Sequence, residues 1–88
     1  MNVNNLKLID GSRGHLVVQV DETHKMTLHG EMLAVSKEIP VFEVYRSMTK
    51  KWDIPQNTEI TDSEFFDVIS KLEEVALQRK FPFSIKII

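Results

Sequence analysis

The chain has 88 residues, a formal charge of −2, no cysteine, and 42% hydrophobic and 27% charged residues. That is enough for one modest core in a single domain spanning 1–88, and it excludes a cleft between domains, disulfides, thiolate metal sites and cysteine nucleophiles. The charge balance gives no net attraction to phosphate backbones, the opening MNVNNLKLIDGSRG lacks the pattern of a signal peptide, and no apolar stretch approaches the roughly 20 residues that span a bilayer, so a cytoplasmic protein is expected, with no membrane or nucleic-acid partner.

Leu6 and Leu8 flank Lys7 in a short alternating strand that is expected to stop in the turn-rich Asp10-Gly11-Ser12-Arg13-Gly14. His15 to Val20 then sets Leu16, Val18 and Val20 on one face, the period of a half-buried strand, and Asp21-Glu22 turns the chain. A third strand runs from His24 to Val35 with Met26 and Leu28 inward; because Met32, Leu33, Ala34 and Val35 are all apolar, a glycine bulge at His29-Gly30-Glu31 is expected to change its face. Ser36 to Pro40 connects to a strand over Val41 to Arg46, in which Phe42 and Val44 oppose Val41, Glu43 and Tyr45. Ser47 to Thr58 has no sustained period and is expected to cross one end of the sheet.

The stretch Ile60 to Lys80 is the one helix. Thr61 is a good N-cap, Glu64 completes a capping box, and Ile60 and Phe65 occupy the positions of a hydrophobic staple. Phe65, Val68, Ile69, Leu72, Val75 and Ala76 form one stripe, with Asp67, Ser70, Lys71, Glu74 and Gln78 turned elsewhere. The ending from Phe83 to Ile88 alternates as a last strand. The order ββββαβ predicts an α+β fold, a mainly antiparallel sheet of about five strands with one amphipathic helix on one face.

Little in the chain resembles catalytic machinery. His24, His29 and Glu31 are the one cluster with the residue types of a metal site or an acid–base pair, but on a regular strand His24 faces away from the other two. No serine lies in a nucleophile elbow, and the Gly11–Gly14 loop lacks the lysine and following helix of a phosphate loop. Glu73 and Glu74 are neighbours on a helix and point about 100° apart, so they do not share a proton. No catalytic residue, cofactor or metal is therefore expected. Trp52, beside Arg46, Lys50 and Lys51, fits either an anchor for a partner or, more simply, a plug at the open end of the core. Between Glu59 and Glu74 six carboxylates stand against one cation, Lys71. Acids in the first turn suit the helix dipole, which does not account for Asp67 or Glu74.

The segments LHGEMLAV, PVFEVYR, KKWDIP and TDSEFFDVISKL, with a short ending strand, resemble small immunity proteins of bacterial polymorphic-toxin and contact-dependent growth inhibition systems. The resemblance is carried by Gly30-Glu31 in a strand and by Trp52 and Pro55 before the helix. It implies a cytoplasmic, non-enzymatic protein that binds one cognate toxin, often a nuclease with a basic active site, and blocks it. The side chains expected at that contact are Asp62, Asp67 and Glu74, with Glu31 and Trp52. The competing expectation is a structural or regulatory interaction module, dimerising through an exposed edge strand.

Overall fold

The computed structural model describes residues 1–34 and 38–88. Four strands come first, β1 (Lys7–Gly11), β2 (His15–Asp21), β3 (His24–Leu33) and β4 (Val41–Val44); a single 3-10 turn (Arg46–Met48), helix α1 (Asp62–Leu77) and strand β5 (Ser84–Ile87) follow. They form one sheet in the order β1-β2-β3-β4-β5, antiparallel throughout except for the parallel pair β4 and β5. A parallel neighbour requires a crossover, and α1 is that crossover. The expected α+β fold with ββββαβ order is the one observed.

α1 starts where its local signals place it, after Thr61, and ends at Leu77 with Gln78 as its cap, short of the expected Lys80. Thr61 Oγ1 accepts the Glu64 backbone N–H at 3.1 Å, and the Glu64 carboxylate accepts the Thr61 N–H at 2.9 Å, which completes the capping box. Phe65, Val68, Ile69, Leu72 and Ala76 are buried, and Val75 packs at the margin. Opposite them lie Leu16, Val18 and Val20 of β2, Met26 and Leu28 of β3, and Phe42 and Val44 of β4. Each such side chain contributes about 1.5–3 kcal/mol on burial. That makes the inner face of the sheet the fold's main source of stability.

β3 departs from expectation. Its pairing with β2 runs regularly to His15↔His29, and its pairing with β4 begins at Gly30↔Val44 and Glu31↔Glu43 with no shift of register. There is no bulge at His29-Gly30-Glu31; Gly30 serves a close approach instead, since a Cβ there would collide with the carbonyl oxygen of Glu43 and come within 3.0 Å of Phe42 Cε1. Parity is kept, so Met32 stays on the inner side and Leu33 falls on the outer. The register shifts lie between Leu8 and Asp10 in β1 and between Gln19 and Asp21 in β2. The first lets β1 continue through Asp10-Gly11, leaving a turn in which the Ser12 N–H donates to the His15 carbonyl at 2.8 Å. The expected extension of β3 to Val35 and the start of the connection at Ser36 lie outside the described residues.

β4 also ends early, at Val44 rather than Arg46. The Tyr45 N–H still reaches the His29 carbonyl at 2.8 Å, and the chain then turns so that Thr49, only 1% exposed, presents Oγ1 to the His29 N–H at 3.1 Å. Beyond it, Lys51 bridges Glu59 and the Trp52 N–H donates to Thr58, forming an arch with Asn57 at φ 59°. Asp53 and Ile54 in turn pair with Lys25. The crossing connection thus continues the edge of β3 that β4 leaves open.

Candidate functional site

The residues picked out by composition separate into three places. Trp52 is 3% exposed and belongs to the core, with its ring edge-on to His24 at 4.9 Å between centroids. Of the two roles weighed for it, the plug is the one its position fits; a ring so enclosed has no surface to offer a partner. His24 also lies on the inner side, with Nδ1 2.9 Å from Asp21 Oδ1 and 2.9 Å from Thr23 Oγ1. His29 and Glu31 are exposed on the opposite side of the sheet. The three do not converge, and among the described residues no group of three or more such side chains is placed to hold a metal ion. In the β1–β2 turn Ser12 Oγ is 2.8 Å from His15 Nδ1, but that hydroxyl also accepts the Gly14 N–H at 3.2 Å, an arrangement that braces the turn.

The acidic residues around α1 are mostly engaged with the protein itself. Arg46 donates to Asp62 Oδ1 at 3.1 Å and to the Ile60 carbonyl at 2.7 Å, and its guanidinium lies 4.8 Å from the Phe65 ring centre. Arg46 is therefore a clamp on the start of the helix. The Glu64 carboxyl is held below its ordinary range first by the Thr61 backbone N–H and further by the Thr61 hydroxyl and the Trp52 indole. Glu73 accepts the Ile85 N–H at 3.0 Å, which occupies part of the free edge of β5. Glu74 lies 3.5 Å from Lys71 Nζ. Asp67 and Glu74, seven residues apart, point within about 20° of each other on the outer side of α1.

The face of the sheet turned away from α1 carries a different pattern. Its register sets Glu31 directly opposite Glu43, and Glu43 opposite Lys86. The Tyr45 hydroxyl lies 3.5 Å from Glu31 Oε2. Partial burial, then the charges of Glu31 and Glu43, push the Tyr45 phenol above its ordinary value. Leu33 and Val41, register partners two residues along from Glu31 and Glu43, are half-buried beside this row. Glu43 was not among the side chains expected at a contact. The alternation of PVFEVYR already turned it outward, but which residue it would face depends on strand register, which no local pattern carries.

No described helix is long and apolar enough to cross a membrane. No curated protein and no solved structure matches the chain. A family model, Immunity protein 74, matches residues 8–86, from the second residue of β1 to the third of β5. The match takes in every strand, the crossing connection and α1, and on that extent the chain belongs to the Immunity protein 74 family.

Proposed function

We propose that this protein neutralises a cognate bacterial toxin domain by binding it and covering its active site, without chemistry of its own. The family match over residues 8–86 is the observation that carries this reading. The sites of action would be the cytoplasm of bacteria that deploy polymorphic toxins, including those of contact-dependent growth inhibition. Acidic side chains are turned to solvent on two opposite faces, Asp67 and Glu74 on α1 and Glu31 on the sheet, and either face suits a toxin with a cationic surface, such as a nuclease. Asp62 contributes less in this scheme, since Arg46 already holds it.

Co-expression with a candidate toxin domain, sought in the product of the neighbouring gene, tests the proposal. Restored growth and a stoichiometric complex on gel filtration are expected; a toxin that stays active and elutes separately overturns it. Homodimerisation through a sheet edge is the less favoured alternative, because the β1 edge is bulged after Leu8 and the β5 edge is partly filled by Glu73. Sedimentation of the isolated chain as a monomer is the expected result.

A further inference from the structure

A sheet with a helix on one side only leaves its other face without a covering layer, and here that face sets two carboxylates side by side. Glu31 and Glu43 are register partners on adjacent antiparallel strands, which brings their Cβ atoms to about 5 Å, and like charges so placed oppose folding. Lys86 stands next in the row, yet among the described residues no ion pair forms with either carboxylate. Of the acids of α1, Asp62 and Glu74 each have a cation within 4 Å and Glu64 and Glu73 each accept a backbone N–H, while Asp67 stands alone on the outer side of the helix with no like charge opposite it.

We propose that the outer face of the sheet is the surface that meets the toxin, and that Glu31 and Glu43 together receive an arginine or lysine side chain from it. The proposal rests on the toxin-binding reading above and names the surface that reading left open. Two carboxylates at this spacing match the forked donors of a guanidinium, and neutralising both removes a repulsion that the free protein carries. Tyr45 lies beside them with a half-buried ring and a hydroxyl near Glu31, and the paired Leu33 and Val41 offer partly buried apolar surface on which the partner's flanking residues would rest. Asp67 and Glu74 lie on the far side of the molecule from this row. A compact partner seated on the sheet does not reach them.

Two measurements test the assignment. Nuclear magnetic resonance titration of the free protein with a tetra-arginine peptide should perturb Glu31, Glu43 and Tyr45 first, and E31Q/E43Q should abolish that response. Perturbation centred on Asp67 and Glu74, or spread without preference, overturns the proposal. Calorimetry with the toxin domain that this chain neutralises in co-expression should show a Kd at least tenfold weaker for E31Q/E43Q and less than twofold weaker for D67N/E74Q. E31Q/E43Q should melt at or above the wild-type temperature, so that the lost affinity is not lost folding. If the wild-type chain fails to bind this toxin domain, the toxin reading itself fails; if it binds and E31Q/E43Q keeps the wild-type Kd, the surface assigned here is wrong.

Discussion

Gly30 and Thr49 show how single residues shape this sheet. Gly30 is needed for space, because the backbone of Glu43 passes where a side chain would begin. Gly30→Ala should cost about 2–3 kcal/mol, since the obstacle is main chain and does not rotate away. Urea unfolding measures the loss, and an unchanged midpoint would show that β4 shifts freely. Thr49 Oγ1 accepts the His29 N–H and donates to the Tyr45 carbonyl at 3.1 Å, so one buried hydroxyl joins β3 to the chain leaving β4. Thr49→Val keeps the shape and leaves both groups without that partner. A loss of about 1–3 kcal/mol is expected, with Thr49→Ser milder.

Helix α1 and strand β3 contrast in how much their sequences declare. α1 was legible from Thr61, Glu64 and the apolar stripe because each of those signals acts within a turn or two of itself. Thr61→Ala should accordingly cost about 1 kcal/mol, measurable as a lower melting temperature with the fold retained. β3 was legible as a strand with Met26 and Leu28 inward, but not in its course after Gly30, where a run of apolar residues obscured the parity. What decides the matter is the approach of β4, a contact between segments far apart in the chain. The same cause hid the opposition of Glu31 and Glu43 and made the acids of α1 look freer than they are. Arg46 illustrates this well: its charge was evident beside Lys50 and Lys51, while its three-way hold on Asp62, the Ile60 carbonyl and the Phe65 ring depends on the path of the crossing connection.

At the scale of the whole molecule, the sheet separates the face proposed for binding from a polar network that ties the fold together at one end. Asp21 accepts the Asn2 N–H at 2.8 Å and the Thr23 N–H at 2.9 Å, and faces His24, whose ring packs on Trp52; the Trp52 indole in turn supports Glu64 at the helix cap. The amino-terminal segment, the β2–β3 turn, the crossing connection and α1 are thereby linked through two carboxylates. The Asn2 N–H above all, with His24 and Thr23, holds the Asp21 carboxyl far below its ordinary range, and Glu64 is lowered as well. A carboxyl lowered on folding contributes stability that is complete above its unfolded pKa, about 4, and is lost as pH falls through the folded value. Unfolding free energy should therefore be nearly flat around neutrality with respect to these groups and decline below about pH 5. Asp21→Asn with Glu64→Gln should lower stability at pH 7 and flatten the acid decline, because the variant has no proton to take up at either position. Urea unfolding at intervals from pH 7 to pH 3 decides it: parallel curves for variant and wild type would place the acid sensitivity elsewhere and remove this network from the account of what holds the two layers together.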